Sequence, residues 1–99
     1  MSVACKVLTT HQWAQFQSEG VFTGAAVDLA DGYIHMSTAE QLGETLAKHF
    51  AGQSGLVVAT IDLTQLGDAL KWEVSRGGAL FPHYYDALPL KAVIKTEPA

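Results

Sequence analysis

Asp31-Gly32-Tyr33-Ile34-His35-Met36-Ser37-Thr38-Ala39-Glu40 joins a turn, a strand and a helix start within one short stretch. Asp31-Gly32 marks the turn. Tyr33 to Met36 reads as a short strand, and Ser37-Thr38-Ala39-Glu40 has the spacing of a capping box with Ser37 as the cap. Alternation sets Tyr33, His35 and Ser37 on one face and Ile34 and Met36 on the other. So clean a partition is expected where the polar face lines a cleft. The plainer alternative for His35 is a core histidine bonded to a main-chain carbonyl. A histidine delivered to a helix N-terminus suits an anion, because free N–H groups point outward there.

Towards the C-terminus, Ala39, Leu42, Leu46 and Phe50 recur at helical spacing, so a helix is expected from Thr38 to about Ala51 with Gly52 as its C-cap. Leu56 to Ile61 is a continuous apolar run and fits a fully buried strand. Leu63 to Gly67 reads as a helical turn. Leu70 to Val74 reads as an alternating strand, with Trp72 opposite Lys71 and Glu73. Arg76-Gly77-Gly78 breaks that strand, and a loop is expected around Phe81-Pro82-His83. Asp86 to Pro89 then turns the chain into a last strand, Ala92 to Thr96.

Towards the N-terminus, Val21 to Leu29 contains Gly24 and mixed polarity and reads as an irregular connection. Thr9 with Gln12 caps a short helix carrying Trp13 and Phe16, and Gly20 stops it. Val3 to Leu8 is a strand with Lys6 as its one charge. The expected fold class is α+β: a small single domain over 1–99 with a mixed sheet and two helices.

The chain has 99 residues, is 48% hydrophobic and 16% charged, and carries a net charge of -4. That balance is globular. The basic residues are scattered, which argues against a nucleic-acid partner, since phosphate neutralisation supplies most of that affinity. No apolar run reaches the roughly 20 residues of a membrane span. A single cysteine, Cys5, and the lack of a secretion-like start point to a cytoplasmic protein; Cys5 itself reads as inert core.

Several residues stand out as site candidates. Glu73 lies between Trp72 and Val74, where a carboxylate can acquire a fixed orientation, or simply sit solvated beside Lys71 or Arg76. Arg76 before Gly77-Gly78 could clamp a phosphate or carboxylate. His83 lies between Pro82, a candidate for a cis bond, and Tyr84-Tyr85, and packing alone does not account for it. His11 and His49 read as surface residues. No zinc-ligand spacing, nucleophile elbow, Walker loop or Rossmann glycine fingerprint is present, so no metal is expected.

Lys6-Val7, Trp13, Asp31 to Ser37, Trp72-Glu73, Phe81-Pro82-His83-Tyr84 and Leu88-Pro89-Leu90, in that order, resemble the bacterial domain of unknown function 952 family over nearly the whole chain. The resemblance implies an ADP-ribosylation-like fold, in which a bent, split sheet holds nicotinamide adenine dinucleotide (NAD) in a cleft. It implies catalytic positions at Lys6, His35 and Glu73, although Lys6 stands where a histidine or arginine is usual. Tyr33, Ser37, Arg76, His83 and Tyr84 would bind ligand, with Tyr33 or Tyr84 stacking on the nicotinamide. The implied activity is an NAD-dependent ADP-ribosyl or phosphoribosyl-type transferase, or an NAD glycohydrolase. NAD would be the substrate, and the partner a phosphorylated or nucleotide small molecule. The alternatives are a non-catalytic module for a small anion or nucleotide metabolite, and a protein-interaction domain built on Trp72, Phe81 and the tyrosines.

Overall fold

The computed structural model describes residues 2–99; the side chain of Arg76, and the anion clamp expected of it, lie outside the described residues. In chain order the elements are β1 (Val3–Thr9), α1 (Thr10–Glu19), β2 (Val21–Phe22), α2 (Ala26–Asp31), β3 (Ile34–His35), α3 (Ala39–His49), β4 (Leu56–Asp62), β5 (Leu70–Val74), β6 (Leu80–Tyr84), β7 (Leu88–Pro89) and β8 (Val93–Pro98). The strands form two three-stranded ladders, β1-β4-β8 and β3-β6-β5, and a small β2-β7 pair. Every pairing is antiparallel, which corrects the expected mixed sheet. The fold is a compact α+β domain with, among the described residues, three α-helices rather than two. Among the described residues, no helix is long and apolar enough to cross a membrane.

The extra helix is α2, in the segment read as irregular. Gly24 has φ +128, which only glycine adopts readily, and a Cβ there would lie 3.0 Å from the Cβ of Asp28. The glycine lets the chain turn tightly against the helix it precedes. Asp28 accepts the N–H of Ala25 at 2.8 Å and so closes the helix start. Gly32 ends it in the left-handed region, donating to the carbonyl of Asp28 at 2.8 Å.

β4 is central in its ladder, with Leu56, Val58, Ala59 and Ile61 buried and Val57 and Thr60 half-buried, so both of its faces are covered. On β1, Ala4, Lys6 and Leu8 share the face of the main core, where Phe16, Phe22, Ile34, Met36, Ile61 and Leu88 meet. The other face carries Val7, which joins Leu56 and Val58 beneath Leu42 and Leu46 of α3 and the Phe50 that follows it. The apolar stripe read from α3 is thus its docking face. α3 starts one residue later than expected: Thr38 is the cap and Gln41 the reciprocal partner. Ser37 is unavailable as a cap because its backbone bridges to Cys5 and its hydroxyl bonds to Thr45 at 2.7 Å. The helix also stops short of Gly52, with Phe50 at its C-cap.

The segment expected as a loop, Phe81-Pro82-His83, is the heart of β6, the central strand of its ladder. Proline is tolerated there for a geometric reason. The Met36 N–H donates to the carbonyl of Pro82 at 3.1 Å, so the ring nitrogen of Pro82 faces the same side. A reciprocal bond back to Met36 cannot form, because proline has no N–H. β3 therefore ends at His35, and the chain swings across to pair Ser37 with Cys5 on β1. No peptide bond among the described residues is cis, so Phe81–Pro82 is trans.

Candidate functional site

Where β3 leaves β6 for β1, the Cys5–Ser37 bridge stitches the two large ladders, and a cleft of about 590 Å³ opens along the seam. Lys6 and Val7 line it from β1, Val27 and Asp31 from α2, Tyr33, His35 and Ser37 along β3, and Phe81 and His83 from β6. Half-buried Cys5 lines it too, so the thiol is part of the cleft wall rather than sealed core; burial pushes it up from its ordinary pKa. The polar face read from alternation faces this cleft; Ile34 is core, and Met36 belongs to the core but also lines the cleft.

Asp28 organises the floor. Its side chain is 1% exposed, and its oxygens accept the Lys6 ammonium at 3.2 and 3.0 Å. They also accept the main-chain N–H of His35 at 3.1 Å and meet its ring Nδ1 at 2.7 Å. Burial alone would raise the Asp28 pKa, but the His35 ring, the Lys6 charge and the N–H groups of His35 and Ala25 overcome it and hold the carboxyl at about 2. The Lys6 ammonium gives its remaining bond to the carbonyl of His35 at 2.8 Å. Burial pulls the Lys6 pKa down, and the charge of Asp28 pulls it back up. Lys6 is thus a buried, neutralised pillar under His35 rather than a free cation.

His35 uses both ring nitrogens on carboxylates, Nδ1 on Asp28 and Nε2 on Asp31 at 2.9 Å. Both contacts are hydrogen bonds at once only when both nitrogens carry protons. His83 is different. It is 3% exposed, and its Nδ1 meets Glu73 at 2.8 Å across the β5–β6 pairing. The same glutamate oxygen accepts the hydroxyl of Tyr85 at 2.7 Å. The Tyr85 and His83 bonds hold Glu73 below its ordinary pKa, and the Glu73 bond pushes Tyr85 up to about 12.

Tyr33 ties the two halves together. It stacks on His83 at 4.1 Å, and its centroid lies 4.6 Å from His35 and 5.2 Å from Tyr85. The structure thus brings Tyr33, His35, Ser37 and His83 to one cleft, with Lys6 beneath and Glu73 behind His83. Tyr84 is not among them: alternation on β6 turns it into the main core, and Tyr85 joins the aromatic cluster instead. Asp28, Asp31 and Tyr85 are not among the site candidates read from the sequence, where Asp31 marks only a turn. Asp28-Leu29-Ala30-Asp31-Gly32, a helix former ended by glycine, carried the signal for the first two. Among the described residues, no group of three His, Cys, Asp or Glu side chains is arranged to hold a metal ion.

The chain is similar to protein CC0527 from Caulobacter crescentus: its X-ray crystal structure is 45% identical, with a TM-score of 0.94 covering 98% of this chain and 85% of that one. The solution NMR structure of CC0527 matches with 46% identity and a TM-score of 0.86, over 99% of this chain and 84% of the other. No curated protein matches. The family model described as protein of unknown function (DUF952) matches residues 7–96, and the chain belongs to that family.

Proposed function

We propose that the cleft binds a nucleotide-type ligand, with NAD as first candidate, and that the chain is an NAD-consuming transferase or glycohydrolase with an ADP-ribosyltransferase-like fold. The observation that carries this reading is the row His35–Tyr33–His83 on one cleft wall, backed by Asp28, Asp31 and Glu73. Loss of nicotinamide from NAD leaves an oxocarbenium-like ribose, and fixed carboxylates beside a developing cation are a large source of rate. The nicotinamide ring is itself cationic in NAD, which favours an aromatic face such as that of Tyr33. A ribose hydroxyl or phosphate reaching His35 replaces Asp31 at Nε2, since that pair lies at the exposed side of the ring. Lys6 acts from below, by fixing Asp28 and the carbonyl of His35.

The test is thermal stability with NAD, ADP-ribose, other nucleotides and inorganic phosphate, followed by nicotinamide release. A ligand at a hundredfold excess over its Kd stabilises by about 2.7 kcal/mol, and the shift is expected to disappear in His83→Ala and Tyr33→Ala. Silence with every nucleotide would overturn the reading. A non-catalytic binding module is favoured by one observation, that Lys6 and His35 already have carboxylate partners. Stabilisation by ligand without nicotinamide release above background would select it. Of the residues behind the protein-interaction alternative, Phe81 and Tyr84 are buried, and only Trp72 and Tyr85 stay exposed.

A further inference from the structure

We infer that His83 is the general base of the cleft, held by Glu73 to take a proton from a hydroxyl group or water at the ligand. The inference rests on the cleft being a ligand site, but not on NAD being the occupant.

The two histidines of the cluster differ in their free valence. His35 has a carboxylate at each ring nitrogen. His83 meets Glu73 through Nδ1, and Nε2 has no partner among the described residues. His83 lines the cleft, and with Nδ1 turned to Glu73 the remaining ring nitrogen, Nε2, is the one assigned to the cleft.

A carboxylate at Nδ1 selects the tautomer with its proton there, which leaves the Nε2 lone pair pointing into the cleft. Tyr85 donates to the same oxygen of Glu73 and steadies the carboxylate. Tyr33, stacked at 4.1 Å, fixes the plane of the imidazole. The groups facing His83 are Glu73 and its cross-strand neighbour Lys71 on β5, Tyr85 beyond β6, and Tyr33 and His35 with Asp31 on the other side. In the reaction the O–H bond of the ligand or water breaks, its electron pair stays on oxygen, and the proton passes to Nε2. The resulting imidazolium faces Glu73. His83 is the residue that touches the reacting atoms, and Glu73 is a positioning residue.

Nitrogen-15 spectra of the His83 ring test this on the intact chain. In the neutral ring the proton is expected on Nδ1, and Glu73→Ala is expected to move it mainly to Nε2. A wild-type ring protonated at Nε2 would overturn the proposal. Diethyl pyrocarbonate supplies a second readout, since it acylates an accessible imidazole lone pair. His83 should be modified alongside exposed His11, and an unreactive His83 beside a reacted His11 counts against the idea. If NAD is turned over, His83→Gln should lower kcat by about a hundredfold or more with KM little changed. Retained turnover would sink the assignment. Absent nicotinamide release with the Nδ1 tautomer and acylation both observed would remove NAD and leave the base in place.

Discussion

Asp28 and His35 are joined twice: one carboxylate oxygen accepts the main-chain N–H of His35 at 3.1 Å and meets its ring Nδ1 at 2.7 Å. The double attachment fixes the histidine's backbone and its ring together. It also ties α2 to β3 across the tight turn at Gly32. Lys6 completes the unit from β1, so three separate elements converge on one carboxylate.

That convergence makes Asp28 the most sensitive polar position in the fold. Asp28→Asn keeps the shape but leaves the Lys6 ammonium, 8% exposed, without a counter-charge. Breaking a buried pair this way costs about 3–5 kcal/mol. Urea denaturation is expected to register a loss of that order. Adding Lys6→Met should recover part of it, because the uncompensated cation is then gone. A cost below about 1 kcal/mol would mean the pair is solvated, as surface pairs are.

The acid limb of stability follows from the same group. Asp28 has a pKa of about 2 when folded, against an ordinary value of 3.8. A depressed carboxyl adds stability that is fully present above the unfolded value and is lost as pH falls through the folded one. The shift corresponds to about 2 kcal/mol. The stability difference between wild type and Asp28→Asn should therefore shrink by about that much as pH falls from 5 to 2. Glu73, lowered by Tyr85 and His83, is more exposed and adds a smaller, salt-screened effect with the same sign. A difference that stays constant across this range would show that the charge of Asp28 is not what stabilises the fold.

What the sequence made legible was local. Alternation along Tyr33 to Ser37 located the cleft face, because period-two patterning needs only neighbouring residues. The helical stripe Leu42, Leu46, Phe50 was legible for the same reason. The Lys6–Asp28 pair was not, since its partners lie far apart in the chain and meet only through tertiary structure. Tyr84 and Tyr85 exchanged roles for a different reason. Reading Phe81-Pro82-His83 as a loop discarded the strand parity that puts Tyr84 opposite His83. Only the pairing with β3 reveals that proline's missing N–H falls where the ladder ends anyway.

Tyrosine titration probes the Glu73 triad directly. Tyr85 is pushed up to about 12 by its bond to Glu73, and Tyr33 and Tyr84 are raised by burial. Absorbance at the tyrosinate band should therefore stay low through the range where free tyrosines ionise, near pH 10. Glu73→Ala should return one of the chain's three tyrosines towards that range. An unchanged titration would mean that Tyr85 does not donate to Glu73 in solution, and the carboxylate behind His83 would lose one of its two anchors.

Gly24→Ala separates backbone geometry from side-chain chemistry at the same site. The glycine sits at φ +128, and an added Cβ would lie 3.0 Å from the Cβ of Asp28, closer than most real contacts, so that one of the two must give way. The side chain of Asp28 cannot yield without disturbing the bonds to Lys6, His35 and Ala25. The substitution should therefore cost about 1–3 kcal/mol from backbone strain alone, with a further loss if Asp28 moves. Its signature differs from that of a plain strained turn: the nitrogen-15 shifts of the His35 ring should change too, because Nδ1 reports on Asp28. A destabilised variant with an unaltered His35 ring would place the strain in the loop and leave the Asp28 hub intact.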